Sequence, residues 1–111
     1  MPENDTAVTA EAVGDGKLRV KLKRPVEGPN GEIAELVFRE PTGADIQRHG
    51  NPVNLDLING DPKISYEAKA MTAMLSALAN VPPFVIGRIT ASDWNTCALA
   101  ISGFFLPDMR S

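Results

Sequence analysis

A single cysteine, Cys97, and a single histidine, His49, stand in a chain of 111 residues. One thiol cannot close a disulfide within the chain, and one cysteine with one histidine cannot complete a four-ligand zinc site. No apolar stretch approaches the roughly 20 residues that a membrane span requires. The opening Met1-Pro2-Glu3-Asn4-Asp5 carries neither a basic region nor an apolar run. A cleaved secretory signal is therefore not expected, and the chain should stay in the compartment where it is made. Positive charge is in short supply as well. Eleven basic residues face 14 acidic ones, for a net charge of -3, the opposite balance to that of a dedicated nucleic-acid binder. A glycine-rich phosphate loop is also missing. These absences argue against metal, membrane, nucleic acid and any cofactor, and they leave enzyme chemistry with nothing to stand on.

What is present is the composition of one ordinary globular domain, 43% apolar and 23% charged. Residues 1–16 hold Glu3, Asp5, Glu11 and Asp15 with no lysine or arginine and no large anchoring side chain, and they are expected to form a flexible acidic tail. The domain, residues 17–111, begins with Lys17-Leu18-Arg19-Val20-Lys21-Leu22-Lys23. Its period of two sends Leu18, Val20 and Leu22 to one face of a strand and four cations to the other. Arg24 to Gly31 reads as the connection, with Asn30-Gly31 as its turn signal. A second strand over Glu32 to Arg39 directs Ala34, Leu36 and Phe38 to the core.

Helices follow. Thr42-Gly43-Ala44-Asp45 has capping-box spacing and starts a short helix that Gly50-Asn51-Pro52 ends. Val53 to Gly60 fits either a helical turn or an extended segment. Asp61-Pro62 reads as an N-cap with proline at the first helical position. Ile64, Ala68, Met71, Leu75 and Leu78 then recur at helical steps up to Asn80, before Val81-Pro82-Pro83. Pro83 to Arg88 allows one or two turns. Thr90-Ala91-Ser92-Asp93 caps a last helix over Ala91 to Phe105, with Trp94, Cys97, Ala98, Ile101 and Phe105 on one face. The expected fold is α+β: an N-terminal β-hairpin packed on three to five short helices, with its sheet open to completion by a second copy.

Candidate chemistry reduces to structure in most places. His49 complements the end of a helix, Cys97 has no cation at helical spacing to lower its pKa, and Asp45 and Asp93 are helix caps. Arg39-Glu40 reads as a surface pair. The face bearing Lys17, Arg19, Lys21 and Lys23 can contact phosphate, but it also suits a soluble sheet that avoids edge pairing. The supply of Met71, Met74, Phe84, Phe104 and Phe105 is generous for so small a domain. Core packing accounts for it, and so does a partner-binding surface, since methionine-rich helices re-pack around varied partners.

The order of these elements is familiar. Leu22-Lys23-Arg24-Pro25 leads through a turn to Leu36-Val37-Phe38-Arg39-Glu40-Pro41-Thr42-Gly43-Ala44-Asp45. Leu78-Ala79-Asn80-Val81-Pro82-Pro83 and Ile89-Thr90-Ala91-Ser92-Asp93-Trp94 come later, and then Gly103-Phe104-Phe105-Leu106. From Leu18 to Leu106 the chain resembles the small tail assembly chaperones of Mu-like and P2-like contractile-tailed bacteriophages. The resemblance makes Arg39, Glu40, Pro41, Thr42, Asp45, Thr90 and Asp93 family motif residues, read here as structural. It implies a non-enzymatic role in the cytoplasm of the bacterial host. The protein would bind the long tape measure protein, keep it soluble until the tail tube polymerises, and be absent from the virion. It also implies a longer frameshifted form that recruits tail tube protein. Two other readings compete. One is a structural tail or head-tail component retained in the virion, a homo-oligomer joined through the hairpin edge. The other is a small nucleic-acid-binding regulator using the Lys17 to Lys23 face.

Overall fold

The alternation that begins at Lys17 does produce a long strand, and that strand organises the domain. The structure is a computed structural model and describes residues 10–12, 14, 16–56, 60 and 63–106. Strand β2 (Leu18–Gly28) turns at Pro29-Asn30 into β3 (Gly31–Phe38), and β1 (Ala10–Ala12) pairs with the start of β2. All three are antiparallel in the order β1-β2-β3. Most of the expected tail lies outside the described residues, but Ala10–Ala12 add a third strand to the hairpin. Gly31 takes a positive φ of 120°, a backbone conformation that glycine adopts without steric cost.

β2 runs through the segment that the sequence suggested was only a connection. It does so by changing register. Lys21 stands opposite Glu35 and Val26 opposite Ile33, so Leu22 to Pro25 share the single partner position of Ala34. Pro25 has no N–H to offer a ladder, which makes a bulge its natural place in a strand. The distortion also explains why Ala34 is exposed, although alternation puts it on the core face with Leu36 and Phe38.

Arg39 leaves β3 toward α1 (Gly43–His49), which stops at Gly50 with φ 88°. Next come β4 (Val53–Asp56) and β5 (Lys63–Tyr66), an antiparallel ribbon in which Leu55 faces Ile64 and Val53 faces Tyr66. The extended alternative for 53–56 is therefore the one adopted. Lys63 to Tyr66 corrects the helix expected from Asp61. Its Lys-Ile-Ser-Tyr alternation pairs across to Val-Asn-Leu-Asp, and Ile64 sits half-exposed on the ribbon. Asp61 and Pro62 themselves lie outside the described residues.

Helix α2 (Ala68–Ala79) starts instead at Glu67, whose carboxylate accepts the Ala70 N–H at 3.3 Å. It ends at Asn80 in the left-handed region (φ 58°). The Asn80 N–H donates to Ala77 O, and the Val81 N–H donates to Ser76 O at 3.1 Å. This double closure satisfies the last carbonyls before Pro82 and Pro83 forbid another turn. Helix α3 (Pro83–Arg88) and helix α4 (Ala91–Ser102) follow, and α4 tightens into a 3₁₀ turn at Gly103–Phe105.

The helices cover one face of the three-stranded sheet. Val20, Leu22, Leu36 and Phe38 meet Met71, Met74, Leu75 and Leu78 of α2, with Val85 and Ile86 of α3 and Cys97, Ala98 and Ile101 of α4. Burial of roughly 1.5–3 kcal/mol for each large apolar side chain stabilises this arrangement. The class is α+β.

Candidate partner-binding surface

Two acidic residues read as helix caps do more than cap. Asp45 is the buried residue of α1. Its carboxylate accepts both Arg39 guanidinium nitrogens, at 2.8 and 2.9 Å, and the Thr42 N–H at 2.8 Å. Arg39 therefore pairs with Asp45 and not with Glu40, which offers it only a backbone carbonyl at 3.3 Å. The Arg39 N–H meanwhile donates to Leu78 O at 3.1 Å, so one residue ties together the end of β3, the start of α1 and the last turn of α2. The fork geometry of a guanidinium suits this bidentate grip. It holds the Asp45 carboxyl well below the usual carboxylate range, with help from the Thr42 N–H, and it raises the Arg39 pKa in turn.

Asp93 has the equivalent role between α4 and the bulge of β2. Its own N–H donates to the Thr90 hydroxyl at 3.1 Å, as a capped first turn requires. Its carboxylate, 1% exposed, then accepts the Lys23 N–H at 3.0 Å and the Arg24 N–H at 3.2 Å. Those are two of the donors that the β2 bulge turns away from the sheet ladder. Spacing alone finds the cap. The second task depends on a contact across about 70 residues and has no local sequence signal.

The candidate binding residues separate into three groups. Met71 and Met74 are fully buried in the core, the core-packing alternative of the two that the sequence leaves open for them. Phe104 and Phe105 are partly buried and pack against that core. Phe84 stays 49% exposed, and the Arg88 guanidinium lies 4.9 Å above its ring. The sequence reading missed Leu99, 66% exposed on α4. Its signal was its place outside the Trp94-Cys97-Ala98-Ile101 stripe.

Charge divides the molecule more sharply than apolarity does. Residues 17–67 contain sixteen Asp, Glu, Lys and Arg residues, whereas 68–106 contain three, namely Lys69, Arg88 and Asp93. Asp93 is buried, so the solvent side of the helical half carries only two charges. The sheet's outer face is different. Lys17, Lys21 and Lys23 are exposed, Lys21 stands opposite Glu35, and Arg19 lies 3.9 Å from the same Glu35. The cations there are interleaved with an acid, which weakens them as a phosphate-binding surface.

A cleft of about 530 Å³ opens between β3 and the last turn of α2, lined by Lys17, Val37, Arg39 and Ala77 to Asn80. Its ionisable groups are both cationic, so it offers no acid–base couple. Cys97 is buried, and burial first and the Asp93 charge second push its thiol up to about 12. A neutral thiol of this kind is a poor nucleophile. Among the described residues no helix is long and apolar enough to cross a membrane, and no three His, Cys, Asp or Glu side chains gather to hold a metal.

Neither the curated proteins nor the solved structures give a significant match. A family model described as phage tail assembly chaperone proteins, E, or 41 or 14, matches residues 19–106. That span runs from the start of β2 past the aromatic turn after α4 and takes in both acid-centred clasps. By this match the chain belongs to the phage tail assembly chaperone family.

Proposed function

We propose that the protein binds the tape measure protein of a phage tail and keeps it soluble until tail tube subunits polymerise around it. Membership of the family supports a role among tail proteins. The observation that carries the binding reading is the helical half. There Phe84 of α3 and Leu99 of α4 stand exposed in a segment, 68–106, whose solvent side carries two charges. Interface centres are depleted of charge and enriched in aromatic residues in this way. Removing such surface from water together with a partner's apolar stripe yields about 25 cal/mol per Å², from which ordering and association costs subtract.

The role is non-catalytic in this reading. Asp45 and Asp93 are committed to Arg39 and to backbone donors, and the thiol is buried. The protein acts in the host cytoplasm and leaves before the particle is complete. Co-expression tests the proposal. The tape measure protein should move from the insoluble to the soluble fraction when this chain is present. Equal insolubility with and without it refutes the reading. Mass spectrometry of purified virions should not detect the chain, whereas finding it at tail stoichiometry favours a retained structural component.

A further inference from the structure

The β4–β5 ribbon sorts its side chains by face. The opposed pairs Val53–Tyr66 and Leu55–Ile64 put only apolar and aromatic side chains on one side, and Asn54–Ser65 and Asp56–Lys63 put only polar ones on the other. The apolar side begins in the core, where Val53 is buried and Tyr66 packs against the main cluster. It then runs outward, with Leu55 half-buried and Ile64 48% exposed. Two strands alone are marginal in water, and further strands are what secure such a ribbon.

The phase of the ladder shows which edge is open. The Glu67 N–H donates to Pro52 O at 3.0 Å, which makes Pro52–Glu67 a hydrogen-bonding position. By alternation Asn54–Ser65 and Asp56–Lys63 are hydrogen-bonding positions too, and the backbone groups of Val53, Leu55, Ile64 and Tyr66 point away from the ribbon. On β4 the outward Val53 N–H is taken by the Asn51 side chain at 3.0 Å. On β5 the outward groups of Ile64 and Tyr66 have no partner among the described residues, and Lys63, Ile64 and Ser65 are exposed.

That edge is complementary to itself. Laid antiparallel against a second copy about Ser65, β5 sets Ile64 opposite the other copy's Tyr66. Both are outward-pointing residues, so each such pair exchanges two hydrogen bonds. Sliding by one residue destroys this phase, and sliding by two loses a pair to Pro62 or to Ala68, where α2 begins. In the same register Lys63 meets Glu67 of the other copy, an opposite-charge pair, and Ile64 with Tyr66 is a favourable pair of β-branched and aromatic side chains. The exposed Leu55–Ile64 row of each copy then continues into the core-docked Tyr66–Val53 row of the other. We propose that two copies of this chain join through β5 into one four-stranded antiparallel sheet, with a two-fold axis at Ser65. This interface is separate from the edge of the β2–β3 hairpin and independent of any tail partner.

Sedimentation of the full chain over a concentration series should show a monomer–dimer equilibrium, and cysteine pairing should report its register. Opposed residues at a non-hydrogen-bonding position have Cα atoms about 4.5 Å apart, within the range of about 4.4–6.8 Å that a disulfide spans. Ser65→Cys should therefore give a cross-linked dimer under mild oxidation on a non-reducing gel. Asn54→Cys should not, because its mate would lie three strand spacings away, about 14 Å. Ser65→Lys sets like charges together at the axis and should weaken the dimer about fivefold or more. Glu67→Lys creates two like-charge pairs by symmetry and should weaken it at least about tenfold, and adding Lys63→Glu to the same chain should restore it to within about threefold. Circular dichroism and thermal melts establish that each variant is folded. A chain that stays monomeric at every concentration overturns the proposal. Equal cross-linking at Asn54→Cys and Ser65→Cys does so too, as does a charge swap without recovery. A dimer indifferent to Ser65→Lys and Glu67→Lys belongs to another surface and equally overturns it.

Discussion

Asp93→Ala should be among the most damaging single changes to a polar residue in this protein. The substitution removes two charge-assisted hydrogen bonds, to the N–H groups of Lys23 and Arg24. Bonds of this class contribute about 1.5–3 kcal/mol each. Both donors are only partly buried, so water recovers some of the loss, and a net cost of about 2–4 kcal/mol follows. A domain of this size has roughly 5–15 kcal/mol in total. In urea the midpoint should fall by about 1–3 M with an unchanged slope. Asp93→Asn keeps one acceptor oxygen and should cost about half as much. Hydrogen exchange localises the effect, because the Lys23 and Arg24 amides should lose protection before the rest of β2 does. A stability within about 0.5 kcal/mol of wild type, or unchanged protection at those two amides, would refute the account of how the bulge is held.

The Arg39–Asp45 clasp gives a pH prediction. Asp45 titrates lower in the folded chain than in the unfolded one, so its contribution is complete above the unfolded carboxylate value near 3.9 and fades as pH falls below it. Asp45→Asn should therefore be destabilised at neutral pH and should close the gap to wild type below about pH 4 in acid-unfolding curves. Met71→Ala and Met74→Ala should each cost about 2–5 kcal/mol, as core truncations do, whereas Leu99→Gln should stay within about 0.5 kcal/mol by thermal melting. A large loss at Leu99 would contradict its exposure. Cys97, with its thiol pushed up to about 12, should react with a disulfide reagent at pH 8 only as fast as the domain opens, and at once in denaturant.

The elements were legible where one face of a segment is buried. Leu18-Val20-Leu22 and Met71-Leu75-Leu78 each show their period because core contact selects every second or every third to fourth residue. Legibility failed where the determining contact is distant. Ile64 happens to fall in phase with Ala68 and Met71, so it looks helical, yet its partner is Leu55 across the ribbon. The β2 bulge is hidden because Ala34, Leu36 and Phe38 alternate regularly and only the pairing strand carries extra residues. At the candidate surface, Phe84 could be picked out as a large apolar residue beside a proline break. Met71 and Met74 could not be assigned to core or exterior, because helical periodicity gives a stripe without saying what covers it. The scarcity of charge over 68–106 is visible in the sequence, and it became informative only once Asp93 proved to be buried.

The reach of the Asp93 carboxylate also bears on synthesis. Lys23 and Asp93 are 70 positions apart, so the strands leave the ribosome long before the group that secures their bulge. During that interval the nascent sheet has an apolar face without its helices, a condition that invites association with other chains. Contacts of such long sequence separation also slow the search for the native topology. A member of a chaperone family would thus itself expose, while it is being made, an apolar sheet face that only its own later helices cover.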